Sequence, residues 1–219
     1  MKKVLILVYS IAFLLLCFSC EDLFNKEDPT KLNGDQSPMG ELGVEVSSTT
    51  AEVAGVSNCA ASVVTLKDGV STYSGSATVK NELLKNILAS VPGITINGDK
   101  VTASNFDFKL TNEGFECLTG PGAGILVKYD SNVGDTYPIG STGKVRTVVA
   151  KTGEDDYPYG FMLIKVLQVE ENPSYLKSST GVSKITYVAN HKFGLVGVKI
   201  LLEDGSSATF PVYTNAENK

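Results

Sequence analysis

The sequence predicts an α+β protein that is predominantly antiparallel β, a sheet or a sandwich, with one amphipathic helix near residues 78–91. Three observations carry that prediction. Beyond residue 43 apolar and polar residues mostly alternate, the period-two signature of half-buried strands. Short Gly- and Asn-containing turns punctuate those runs, as in hairpin-built sheets. One segment alone switches to a four-residue period: Val79, Leu83, Ile87 and Val91.

In chain order, that segment comes first. Leu84 and Leu88 widen its apolar stripe, while Lys80, Asn81, Glu82, Lys85 and Asn86 fall between, which is an amphipathic helix. It opens near Thr78 and is stopped by Pro92-Gly93. Ile94-Thr95-Ile96 and Asp99-Lys100-Val101 flank Asn97-Gly98, the favoured pair for a type I′ hairpin turn. Phe106, Phe108 and Leu110 then alternate with Asp107 and Lys109 as a half-buried strand, and Val145, Thr147 and Val149 form another apolar face. Phe161 to Val169 is nearly continuous apolar and suits a central strand covered on both sides. Ile185, Tyr187 and Ala189 line the next strand, and Val196, Val198, Ile200 and Leu202 the one after. Glu203-Asp204-Gly205-Ser206 turns the chain and Ala208, Phe210 and Val212 return it. Pro211 cannot donate to a ladder, so this last strand belongs at an edge.

The chain of 219 residues is 42% hydrophobic and 20% charged, which excludes a disordered or low-complexity polymer. A formal net charge of −5 removes the electrostatic basis for nucleic-acid binding. The Gly- and Asp-rich stretch 130–143 offers a boundary between two lobes, although no pattern requires one.

The N-terminus carries an address. Met1-Lys2-Lys3 is followed by an uncharged run from Val4 to Phe18 that closes at Ser19-Cys20-Glu21-Asp22. This is the charged start and apolar body of a secretory signal, and it is shorter than the ~20 residues that span a bilayer. Leu16-Cys17-Phe18-Ser19-Cys20 resembles the lipobox of bacterial lipoproteins, in the looser form found in Bacteroidetes. The resemblance implies a signal peptide over 1–19 and a diacylglycerol-modified Cys20 that holds the protein to a membrane; the polar run behind it, without a sustained apolar period, reads as a flexible tether over 20–40. A β-rich ectodomain over 41–215 follows. Glu21 and Asp22, with Lys26-Glu27-Asp28 behind them, are similar to the acidic export tag of such lipoproteins. That similarity implies an outer-membrane protein exposed at the cell surface, with the periplasmic face as the alternative.

With Cys17 removed and Cys20 lipidated, Cys59 and Cys117 remain. An even remainder in an exported chain suggests one disulfide; two buried free thiols are the alternative.

Catalytic motifs are scarce. Gly140-Ser141-Thr142-Gly143-Lys144 lacks the first glycine and the metal-binding hydroxyl of a P-loop, and Gly120-Pro121-Gly122-Ala123-Gly124 feeds a strand rather than a helix. A single histidine, His191, excludes His-based zinc sites and sits in a predicted hairpin loop. Asp130 to Asp135 places oxygen ligands at alternate positions but lacks the distal bidentate Glu of a calcium loop. Asp155-Asp156 and Glu170-Glu171 are adjacent carboxylates, which point to opposite faces on a strand. Asp155, Asp156, Tyr157 and Tyr159 form the one cluster with the makings of a ligand-binding loop: carboxylates beside aromatics fixed by Pro158. The reading is therefore a binding module for a glycan, a peptide or a partner envelope protein. It involves no metal, cofactor or nucleic acid. A carboxylate-based, glycosidase-like hydrolase is the alternative.

Overall fold

The computed structural model describes residues 31–48, 52, 55–89, 91–173 and 182–218. The signal segment 1–19, Cys17, Cys20 and the acidic residues 21–28 lie outside the described residues. Leu32–Lys219 forms one compact unit.

The strands in chain order are β1 (Glu45–Ser47), β2 (Val56–Lys67), β3 (Val70–Val79), β4 (Ile94–Asn97), β5 (Lys100–Thr111), β6 (Gly114–Cys117) and β7 (Gly124–Lys128). Then come β8 (Thr136–Ile139), β9 (Lys144–Lys151), β10 (Tyr157–Tyr159), β11 (Met162–Ile164) and β12 (Leu167–Glu171). The chain closes with β13 (Val182–Asn190), β14 (Gly194–Leu202), β15 (Ser207–Pro211) and β16 (Tyr213–Thr214). The first sheet runs β16-β1-β2-β3-β5-β6-β7, with β4 paired to β5. The second runs β15-β14-β13-β12-β9-β8, and β10–β11 is a separate hairpin. Every pairing is antiparallel. The predominantly antiparallel β character is as expected.

One continuous segment passes from the second sheet to the first at one edge. β15 pairs with β14 in the second sheet, Val212 donates its N–H to Val196 O at 3.0 Å, and β16 then pairs with β1 in the first. Pro211 ends the edge strand β15, where its missing donor costs nothing. At the opposite edge the stretch expected to separate two lobes carries the chain from β7 to β8. One core joins the sheets there: Phe115, Ile125 and Val127 from the first pack with Tyr137, Val148 and Val169 from the second. β2 and β3 curl strongly, with register shifts at Ser57/Ala60, Val63/Thr65 and Tyr73/Gly75. Asn58 (φ 51°) and Asn105 (φ 62°) take left-handed backbone there, and extra residues of this kind bend a strand.

Several expectations are corrected. The helix α1 covers only Glu82–Leu88. Thr78 and Val79 stay in β3, paired with Ser57 and Val56, because β-branched residues with ladder partners gain more from the sheet than from a helical turn. Asn81 Oδ1 accepts from Leu84 N at 3.1 Å and caps the shortened helix. The hairpin turn is Gly98-Asp99, one residue later than expected, since Asn97 pairs with Lys100. Only Gly98 has positive φ, the sign pattern of a glycine-first II′ turn.

The apolar run from Phe161 splits as well. Tyr159 pairs with Met162 around the Gly160–Phe161 turn, where Gly160 has φ +58°. Only Leu167–Glu171 is a central strand. The expected tether ends early: Leu32 is fully buried, and its N–H donates to Glu116 Oε2 at 3.3 Å. Gln36 bridges to Thr111, and Ser37 Oγ donates to Asn218 Oδ1 at 2.7 Å. Leu32 and Met39 are the apolar residues that bury this stretch, while the polar residues around them masked it in the sequence.

Candidate functional site

Between the curled part of the first sheet and the facing strands of the second lies a cavity of about 690 Å³, within the range of small-molecule sites. Alternation supplies its walls. On the first sheet Gly75, Ala77 and Ala103 point inward, and their small side chains leave the room. On the second, Ile185, Val198 and Ile200 face them. Leu84 and Leu88 of α1 contribute at the Val79 and Val101 ends of β3 and β5, and Phe115 and Leu126 contribute from the common core.

Gly75 is required by the close approach of β2. A Cβ there would stand 2.5 Å from Ala60 O and 2.6 Å from Ala61 Cβ. Tyr73 packs edge-on against Phe108, ring centroids 5.5 Å apart. Its hydroxyl donates to Met39 O at 3.0 Å, and burial pushes its pKa up to about 12.

No charged side chain lines the cavity among the described residues. Its polar side-chain groups are hydroxyls and the Cys59 thiol, and three of the hydroxyls, on Tyr73, Ser74 and Thr214, are hydrogen-bonded. Ser74 Oγ donates to Ala103 O at 3.1 Å, and Thr214 Oγ1 accepts from Ala216 N at 3.3 Å. Ser48 Oγ is buried and has no hydrogen-bond partner among the described residues, an omission that costs about 1–3 kcal/mol. Cys59 also lines the space, and burial raises its thiol pKa.

The expected Cys59–Cys117 bridge is not formed; both cysteines are free. β3 and β5 stand between β2 and β6, so the two backbones lie three strand spacings apart. That is about 14 Å, twice the ~7 Å reach of a disulfide. Cys117 Sγ instead donates to Thr119 O at 3.2 Å.

The cluster around 155–159 is divided. Asp155 and Asp156 are exposed. Tyr159 is buried, its ring tilted against those of Phe193 and Tyr213 with centroids 5.1 Å and 5.2 Å away, and Tyr157 is half-buried beside it. Burial raises the pKa of both phenols. With Ile164, Val188 and Val196 the two rings form a second, smaller core.

The remaining motifs are connections. Residues 140–143 link β8 to β9, residues 118–123 link β6 to β7, and His191 is exposed in the β13–β14 turn. In the 130–135 loop Asp135 Oδ2 accepts from Asn132 N at 2.8 Å. Among the described residues no three His, Cys, Asp or Glu side chains gather as a metal site.

Glu170 and Glu171 diverge as adjacent strand residues do. Glu170 pairs with Lys184 at 2.9 Å on the partly exposed side, and Glu171 is buried against Arg146. That interior pair inverts β9: Arg146 and Val148 are buried, while Val145 and Val149 are exposed, contrary to expectation. The sequence reading also missed the cavity. The only local hint is the row of small inward residues Ala61, Gly75, Ala77 and Ala103 among bulky ones. Comparisons with protein-family models, with curated proteins and with solved structures find no match to this chain.

Proposed function

We propose that this is a lipid-anchored protein of the cell envelope whose ectodomain is a binding module for a hydrophobic small molecule, held in the cavity between the two sheets. The observation that carries the reading is a space of about 690 Å³ walled mainly by aliphatic and aromatic side chains. Such a site rewards apolar surface removed from water, by about 25 cal/mol per Å². The anchor rests on the lipobox resemblance at Ser19-Cys20 and surface display on the acidic residues behind it. A protein tethered to a bilayer and able to shelter an apolar molecule suits the handling of hydrophobic compounds at that surface.

The binding test uses the unlipidated chain from Glu21 onward, which retains the whole compact unit. A polarity-sensitive fluorophore should bind with enhanced emission and be displaced by hydrocarbons. Ala103→Phe should fill the space and abolish binding without lowering the melting temperature. Thr102→Phe, on the opposite face of β5, should leave binding intact. Equal loss in both variants, or no fluorophore bound by the parent, would contradict the reading. For the anchor, Cys20→Ala should eliminate labelling by a radiolabelled fatty acid, and retained label would contradict it.

A further inference from the structure

We infer that the tip of the β10–β11 hairpin seats in a phospholipid bilayer, as a second and non-covalent membrane contact of this chain; the bilayer itself comes from the lipid-anchored reading above. Tyr159 and Ile164 face the second core, and the Gly160–Phe161 turn carries its neighbours away from it. Phe161 is fully exposed, and Met162 and Leu163 are 50% and 58% exposed. Consecutive large apolar side chains at one projecting turn mark a protein or a membrane contact. Area decides between the two. A buried aromatic ring covers ~150–250 Å², and its two neighbours here are only about half exposed. The tip therefore falls short of the ~800 Å² that each partner buries in a stable protein interface. A bilayer demands no matching surface and takes apolar side chains one at a time.

The anchor and the tip can meet one surface. From Cys20 to Lys31, where the described residues begin, the chain reaches at most ~40 Å. It continues to Met39, whose Sδ would stand 2.7 Å from a Cβ on Gly194. The adjacent Phe193 lies against Tyr159 of the hairpin, centroids 5.1 Å apart. Phe193 also lines the cavity, so a seated tip brings that wall to the lipid that would supply an apolar ligand. Charge at the base of the hairpin is mixed. Lys165 and Lys192 are exposed there, both backbones held by the Asn190 side chain. Lys192 pairs with Glu217 at 3.4 Å, and Asp155 and Asp156 are exposed just before β10. Apolar contact, rather than attraction to anionic lipid, therefore carries the seating.

The chain has no Trp, so Phe161→Trp provides a single reporter. The chain from Glu21 onward, with an N-terminal histidine tag, is captured on phosphatidylcholine vesicles that carry a nickel-chelating lipid. Capture should shift the Phe161→Trp emission to the blue, and brominated acyl chains should quench it. Both effects should persist at ~1 M salt, where charge attraction is screened within ~3 Å. Val145→Trp is the control: it is exposed near the start of β9, ~20 Å along that strand from the Thr152 contact with Val166 below the hairpin. Its emission should stay water-like. Adding Met162→Ser and Leu163→Ser to Phe161→Trp should lower the inserted-to-free ratio about tenfold and, both sites being exposed, leave the melting temperature unchanged. Water-like emission of captured Phe161→Trp, loss of its shift in salt, or equal quenching of Val145→Trp would overturn the inference. So would a blue shift that arises without vesicles and grows with protein concentration, the mark of a second copy on the tip. The tag supplies the tether, so none of these outcomes bears on the lipidation of Cys20 or on the cavity.

Discussion

Arg146 Nε lies 2.7 Å from Glu171 Oε2, with both side chains almost wholly shielded from solvent. The pair is embedded in further bonds. Tyr187 Oη donates to Glu171 Oε1 at 2.8 Å, Arg146 Nη1 donates to Ile125 O at 3.1 Å, and Arg146 Nη2 donates to Gly122 O. Arg146 and Glu171 belong to the second sheet and Ile125 to the first, so one guanidinium ties the two sheets together. Removing either charge strands the other in the interior, which costs about 3–5 kcal/mol. Glu171→Leu and Arg146→Met should each lose about that much stability in urea unfolding. The double variant should lose less than the sum.

Cys59 and Cys117 should titrate as two thiols in the unfolded, unreduced protein, and reductant should leave the melting temperature unchanged. Burial raises both thiol pKa values, so less reactive thiolate exists at a given pH than for a free cysteine. Alkylation of the folded protein should be correspondingly slow, and a cavity ligand should slow it further at Cys59.

Gly75→Ala should destabilise the protein by about 1–3 kcal/mol, because the new methyl meets the β2 backbone and the Ala61 side chain. Thermal unfolding checks this. Gly43→Ala is not an equivalent control, because positive φ strains it even in open space. Gly153→Ala, which has neither problem, should change little.

Leu32→Ala should cost about 2–5 kcal/mol, the penalty of a core residue rather than of a tether. Leu32 packs with Phe115, Ile125 and Val169. Chemical denaturation of this variant beside Leu42→Ala, an exposed site, separates the two cases.

Lys85 Nζ lies 2.7 Å from Asp99 Oδ1 and 3.0 Å from Glu82 Oε1. Through that hydrogen bond first, and charge attraction second, it holds the Asp99 carboxyl below its ordinary range. The folded state therefore binds this proton less tightly than the unfolded chain. The stabilisation is complete above the unfolded carboxylate range and is lost as pH falls through the depressed one. The Asp99 side-chain carbonyl should titrate lower than a free aspartate by NMR, and Lys85→Met should return it upward.

The predominance of antiparallel strands and the edge placement of Pro211 were legible because each depends on a few neighbouring residues. Phe106, Phe108 and Leu110 do face inward, and Ile185, Val198 and Ile200 line the opposite wall. β9 was misread because Val145, Thr147 and Val149 suggest an apolar face, and only partners distant in sequence, Glu171 and the Ile125 and Gly122 carbonyls, make it favourable to bury Arg146 instead. The helix was overextended for a similar reason: Thr78 is paired with Ser57 and Lys100, and Val79 with Val56, all distant in sequence.

By itself, then, the sequence determined the antiparallel β character, the alternation that sorts most side chains to one face or the other, and the N-terminal pattern that resembles a lipobox. Each is written in residues adjacent or nearly adjacent along the chain. Tertiary structure alone decided that the cysteines stand too far apart to bridge, that Tyr157 and Tyr159 join a second core, and that Leu32 belongs to the first. It alone opened the cavity as well. That volume is the difference between two walls, set by bulges that curl β2 and β3 and by small residues on one sheet opposing branched ones on the other. No local stretch of sequence contains both sides of that difference.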